Sequence, residues 1–230
     1  MDRYAVFGNP IAHSRSPFIH SFFADETGED ISYEKILAPL DGFREAVRKF
    51  FSEGGRGCNV TVPFKEEAFA MCECLSPRAE AAGAVNTLIF RDGAISGDNT
   101  DGAGFIADLK SQGVRIEGAR VLLIGAGGAS RGILFPLAAE RPASLFIANR
   151  TASKAEALAA KCRSVSVSAG TPADADGAYN LVINATSSSL QGKLPGVPDS
   201  ALKGAFCYDL MYGAEPTVFL RHARECGASG

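Results

Sequence analysis

Lys65 closes the run Gly57-Cys58-Asn59-Val60-Thr61-Val62-Pro63-Phe64-Lys65, in which polar and apolar residues alternate. A period of two is that of a half-buried strand, so Asn59 and Thr61 are expected on one face and Cys58, Val60 and Val62 on the other. Pro63 ends the strand and leaves Lys65 at its carboxyl end, near the first turn of a helix. In open α/β sheets that edge binds ligands. An ammonium group there can protonate an oxyanion as it forms. The ordinary reading of a lone lysine is a solvated charge, yet a helix amino terminus disfavours a cation, a small point in favour of chemistry. A second polar run, Gly8-Asn9-Pro10-Ile11-Ala12-His13-Ser14-Arg15-Ser16-Pro17, lies between a strand and a helix. Its Ser14 and Ser16 either cap that helix or donate hydroxyls to a carboxylate. Asn86-Thr87 and Asp98-Asn99-Thr100-Asp101-Gly102 have turn composition. His13 and His20 read as hydrogen-bonded structural residues.

A different chemistry is written at Val121-Leu122-Leu123-Ile124, which runs into Gly125-Ala126-Gly127-Gly128-Ala129-Ser130-Arg131-Gly132. Ile133, Leu134, Leu137 and Ala138 then follow at helical spacing. Strand, glycine turn and helix in this order make a dinucleotide site: glycines admit a pyrophosphate to the backbone, and the N–H groups at the helix start face the anion. Ser130, still small, takes the place of the third glycine. The next apolar run ends at Asn149-Arg150-Thr151, about 20 residues after the turn, where the adenosine ribose is read. An acidic residue there favours NAD. Arg150, with Lys154 one helical step on, instead offers cations to a 2′-phosphate, so the expected cofactor is NADP.

These groups need a scaffold, and the pattern supplies one. Strand-like runs fall at 4–8, 31–37, 57–62, 87–90, 120–125, 144–149, 164–168, 180–185 and 205–210. Helical spacing falls at 17–24, 42–52, 66–74, 104–111, 129–139, 153–161 and 217–226. Alternating strand and helix predicts a parallel-rich α/β architecture. The seam near residues 98–118 divides it into two domains, 1–102 and 103–230.

Composition narrows the function. With 23 Lys+Arg against 26 Asp+Glu in 230 residues, the net charge is −3, and no basic block points to a nucleic-acid backbone as partner. The first apolar run is too short for a signal peptide or a membrane span, so the cytoplasm is the expected compartment. The six cysteines are scattered and read as reduced thiols, mostly small core residues. Three histidines with no His-x-x-x-His pair give a metal site little support, and none is expected.

Taken together, the runs 8–17 and 59–65, Gly83-Ala84-Val85-Asn86-Thr87 and Asn99-Thr100-Asp101-Gly102 resemble the shikimate dehydrogenase family in order and spacing. The likeness continues through Gly125-Ala126-Gly127-Gly128-Ala129, Asn149-Arg150-Thr151, Asn184-Ala185-Thr186-Ser187 and Tyr208-Asp209-Leu210-Met211-Tyr212, nearly the whole chain. The resemblance implies an amino-terminal substrate domain, a carboxyl-terminal Rossmann domain that binds NADP(H), and a cleft between them. It implies reversible reduction of 3-dehydroshikimate to shikimate in aromatic amino acid biosynthesis, by a monomer or a homodimer. By position, Lys65 is the catalytic acid/base and Asp101 its partner. Ser14 and Ser16 hold the substrate carboxylate, and Asn59, Thr61, Asn86, Asp101 and Tyr212 line the ring and its hydroxyls. Gly125 to Ala129 with Asn149, Arg150, Thr151 and Lys154 hold the nucleotide, and Thr186 and Leu210 lie near the nicotinamide. The family runs on past the position of Gly227 into a helix that brings a Gln to the ligand, whereas this sequence stops at Gly230. Two rival readings are a quinate/shikimate dehydrogenase of the same superfamily and a non-catalytic module that keeps the fold.

Overall fold

The computed structural model describes residues 1–230, which divide into two compact units, Met1–Thr100 and Asp101–Gly230. The division falls two residues before the expected 102/103 boundary, because Asp101 already begins a helix. No helix is long and apolar enough to cross a membrane.

The first unit is a six-stranded mixed sheet. Its parallel part consists of β1 (Asp2–Gly8), β2 (Ile31–Leu37) and β3 (Gly55–Val60), linked by α1 (Ser16–Thr27) and α2 (Phe43–Ser52). After β3 come α3 (Lys65–Phe69), β4 (Cys74–Leu75), α4 (Pro77–Ala82) and the hairpin β5 (Thr87–Arg91) and β6 (Ala94–Asp98). The strand order is β2-β1-β3-β5-β6-β4, with β5 antiparallel to both of its neighbours. The core is rich in phenylalanine: Phe43 stacks on Phe64 at 4.6 Å and meets Phe7 edge to face at 6.2 Å. Both geometries suit the ring quadrupole. Helix α1 buries none of its residues and shows Phe18, Phe22 and Phe23 to solvent.

The helix expected at 66–74 stops at Phe69. Cys74 and Leu75 leave it to pair with Ser96 and Gly97 of β6, so helical spacing at Met71 and Cys72 gives way to the sheet. Strands β4 and β6 and helix α4 were not anticipated, although Ser76-Pro77 carries a start signal: the Ser76 hydroxyl accepts from Ala79 N–H.

The second unit is a five-stranded parallel sheet of β7 (Arg120–Ile124), β8 (Ser144–Ala148), β9 (Val167–Gly170), β10 (Leu181–Asn184) and β11 (Phe206–Asp209). Their order is β11-β10-β7-β8-β9, which is the mononucleotide-binding order with its reversal between β7 and β10. Around the sheet lie α5 (Asp101–Ser111), α6 (Gly128–Ala139), α7 (Ala152–Ala159), α8 (Asp199–Leu202) and α9 (Val218–Glu225). Both sheet faces are covered: Val121 and Leu123 belong to one apolar cluster, Leu122 and Ile124 to another. That is why the strand reads as an unbroken apolar run. The strand expected at 164–168 lies at Val167–Gly170 instead, in register with β8. Where α5 crosses α6, a Cβ on Gly102 would come within 2.6 Å of the Gly132 carbonyl oxygen, so this glycine serves helix packing and not a turn. All six cysteines are free, but only Cys58, Cys162 and Cys207 are buried.

Candidate active site

In the first unit the chain reverses direction across the sheet between β1 and β3, and the polar residues gather at the carboxyl ends of those strands. The two turns touch there: Thr61 N–H donates to the Phe7 carbonyl at 2.9 Å and Asn9 N–H to the Val62 carbonyl at 3.0 Å. A Cβ on Gly8 would meet the Thr61 methyl at 2.5 Å, so glycine is needed for this approach. The Asn9-Pro10 and Val62-Pro63 peptides are both cis.

Lys65 is the first residue of α3 and half-buried. Its backbone is set on both sides, by Phe64 stacked in the core and by its own carbonyl accepting from Val85 N–H at 2.8 Å. Ser14 is buried and Ser16 half-buried; the Ser14 hydroxyl donates to the Ser16 Oγ at 3.1 Å and accepts from the Ser16 N–H at 3.3 Å. The N-cap of α1 is Arg15, without a side-chain cap, so neither serine has the capping role weighed for it. Asn59 sends its amide protons to the Asn86 carbonyl at 3.3 Å and Thr87 Oγ1 at 3.2 Å, while its oxygen accepts from the Tyr33 hydroxyl at 2.5 Å. Asn86 is buried; its oxygen accepts from Thr100 N–H at 3.0 Å and its nitrogen donates to Thr100 Oγ1 at 2.9 Å. Thr61 lies just beyond the end of β3, half-buried.

Tyr33 was missed as a member of this network. Burial pushes its phenol up, and its ring stacks on His20 at 4.1 Å, whose Nδ1 lies 2.9 Å from the Ser16 carbonyl. Tyr33 stands beside Tyr4 of β1 in register, and nothing in its local sequence marks the bond to Asn59. Below this network, Asp98 ends β6. Hydrogen bonds from Arg78, then from Ser76 and the Asn99 N–H, hold its carboxyl well below the usual range against the opposing effect of burial.

In the second unit the reversal falls between β7 and β10, and the glycine turn sits on it. Gly125 has φ +112°, and a Cβ there would come within 3.2 Å of both Ser130 Oγ and the Thr186 methyl. Gly127, the N-cap of α6, is exposed, has no side-chain cap, and has open space where a Cβ would stand. Ala126 is buried, Gly128 and Ala129 half-buried. The fully buried Ser130 hydroxyl has no protein partner. An uncapped helix start, open backbone and an unsatisfied hydroxyl together fit a pyrophosphate. Beyond β8, the Asn149 side chain donates to the Thr151 carbonyl at 2.9 Å, while Arg150, Thr151 and Lys154 are exposed. The buried Asn184 accepts from Thr186 Oγ1 at 2.7 Å and lends its carbonyl to Leu210 N–H at 2.9 Å. Asp209, also missed, accepts from Met211 N–H, Ser189 Oγ and Thr217 Oγ1, all within 2.9 Å. It thereby ties down the segment that carries the half-exposed Tyr212. Asp101 is the first residue of α5, so Lys65 and Asp101 belong to different units.

The order of strands and the glycine turn define a two-domain α/β protein with a Rossmann-like dinucleotide-binding domain. A family profile described as the shikimate dehydrogenase substrate binding domain matches residues 6–88, and one described as shikimate / quinate 5-dehydrogenase matches 107–191. The chain is 54% identical over 240 residues to the shikimate dehydrogenase (NADP(+)) of Cupriavidus necator, spanning 99% of this chain and 81% of that one. It is 55% identical over 232 residues to that of Cellvibrio japonicus, spanning 99% and 84%. The crystal structure of Thermus thermophilus shikimate 5-dehydrogenase in complex with NADP(H) and shikimate superposes with a TM-score of 0.84 at 33% identity, covering 100% of this chain and 86% of that one. The chain belongs to the shikimate dehydrogenase family.

Proposed function

We propose that this protein catalyses the reversible NADP-dependent reduction of 3-dehydroshikimate to shikimate, a step toward the aromatic amino acids. The observation that carries the reading is 54% identity, sustained over 99% of the chain, to an enzyme of that name. When bound, NADPH supplies the hydride received by the ketone carbon of the substrate. The negative charge that then develops on oxygen needs a proton, and Lys65, at the carboxyl end of β3, is assigned as its donor. Asp101, at the start of α5, is assigned as the second catalytic group.

Ser14 and Ser16, whose hydroxyls already lie 3.1 Å apart, are assigned to the substrate carboxylate. Thr61 and Asn86 with Asp101 and Tyr212 are assigned to its hydroxyls. Asn59, its amide protons engaged within the protein, lines the site and fixes Asn86 and Thr87. Gly125, Ala126, Gly127, Gly128 and Ala129 offer backbone N–H groups to the pyrophosphate. Arg150 and Lys154, flanked by Asn149 and Thr151, offer cations to the 2′-phosphate, and Thr186 and Leu210 bound the nicotinamide end. The proposed compartment is the cytoplasm and the proposed assembly a monomer or homodimer.

The test is the rate at which reduced coenzyme appears, NADPH from NADP⁺ or NADH from NAD⁺, with shikimate or quinate as substrate. Shikimate with NADP⁺ is expected to be fastest. Comparable turnover of quinate would move the protein to the quinate/shikimate dehydrogenases, and shikimate binding without turnover would make it a non-catalytic module.

A further inference from the structure

Outside the assigned site, one cluster of side chains has the composition and geometry of a metal centre. His222 and Cys226 stand four residues apart at the end of α9, on one helix face. Asp199, in the first turn of α8, reaches the same point from a separate element. The ligand atoms of the three lie within 4.8 Å of one another. One ring nitrogen, His222 Nε2, is 2.8 Å from Asp199 Oδ1 and 3.6 Å from Cys226 Sγ.

We propose that Asp199, His222 and Cys226 form a three-ligand site for a divalent cation of the zinc class, with water as the fourth ligand. Nitrogen, oxygen and sulfur donors around zinc stand about 2.0–2.3 Å from the metal, which places tetrahedral donors roughly 3.3–3.8 Å from each other. The nitrogen–sulfur spacing of 3.6 Å already fits, and the carboxylate oxygen, 2.8 Å from Nε2, has to withdraw from that nitrogen by roughly 0.5–1 Å. Asp199 is mostly exposed and His222 only 27% exposed, so the group that must move is the one free to do so. The other ring nitrogen, Nδ1, lies 3.8 Å from Glu225 Oε2. A carboxylate on that side can take the Nδ1 hydrogen once Nε2 ligates a metal. The spacing His222-x-x-x-Cys226 is visible in the sequence; the third ligand comes from 23 residues away.

The ion would cross-link α8 to α9. The test is a titration of the reduced, chelator-treated full chain with Co²⁺, followed by displacement with Zn²⁺. Expected are one equivalent of cobalt, a thiolate-to-cobalt charge-transfer band, and an unfolding temperature that rises with Zn²⁺ concentration as binding to the native state requires. Cys226→Ser removes the band, His222→Gln weakens cobalt binding by about tenfold or more, and Cys74→Ser, a control at the exposed cysteine, leaves both intact. Circular dichroism of each variant verifies folding. Absence of the band at saturating Co²⁺, or a band that survives Cys226→Ser, overturns the proposal.

Discussion

Around the β1/β3 reversal the polar atoms belong to side chains, and Ser14, Ser16, Tyr33, Asn59, Asn86 and Thr87 largely bond to one another. Around the β7/β10 reversal the turn offers backbone instead: Gly125 is held at positive φ, and Gly127 opens an uncapped helix. Under the proposed assignment the contrast follows from the ligands. A small polyhydroxy acid has to be told from its isomers, which takes donors and acceptors at fixed points supported by their neighbours. A pyrophosphate needs only a concentration of N–H dipoles, which every backbone has once side chains are out of the way. One end is therefore vulnerable to removal of atoms and the other to their addition.

The largest expected effect is at the first end. Lys65→Ala should lower kcat by about 10²–10⁴-fold while changing KM little, since the proton is needed in the transition state; steady-state kinetics with shikimate decide it, and a near-normal kcat removes Lys65 from the chemistry. Arg150→Ala deletes the one kind of group at the second end that works by its side chain. It should weaken NADPH by about 1.5–3 kcal/mol, roughly 10–150-fold, and leave NADH nearly unchanged in calorimetric titration; equal losses would refute the phosphate-reading role. Gly125→Ala adds a single methyl where φ is +112° and Ser130 and Thr186 are 3.2 Å away. A cost of about 2–3 kcal/mol is expected in denaturant unfolding, together with weaker NADP binding, and a silent substitution would break the comparison.

Asn86→Ala should destabilise by about 1–2 kcal/mol, because it strands the Thr100 N–H; thermal unfolding without ligand measures it. The smallest effect concerns Asp98. Its native pKa lies below the unfolded one, so its contribution is present above the ordinary carboxylate range and is lost as pH falls through the native value. Arg78→Ala, by raising that native value, should move the acid-unfolding midpoint to higher pH in a far-ultraviolet circular dichroism titration. An unmoved midpoint would mean that Ser76 and the Asn99 N–H suffice.

Much of this could be read from residues alone. Unbroken apolar runs such as Val121-Leu122-Leu123-Ile124 marked the buried parallel strands, because a sheet covered on both faces leaves no polar position to alternate. The glycine turn was equally plain, since steric room can be supplied in few ways. What stayed hidden depended on partners distant in sequence. Strand β6, Ala-Ile-Ser-Gly-Asp, has little strand propensity and is held by β5 on one side and by two-residue β4 on the other. Tyr33 and Asp209 carry no local mark of the bonds they make, 26 residues away at Asn59 and 20 at Ser189. Gly102, read as a turn residue, is small because another helix lies against it.

That last contact has a mechanical consequence. With α5 seated through Gly102 on the Gly132 carbonyl and Pro136 of α6, the residue before it, Asp101, is coupled to the same helix that opens on the glycine turn. A displacement of α6 would therefore reach Asp101 through packed backbone and not through a flexible side chain, so that within the second unit the two shift as one solid piece.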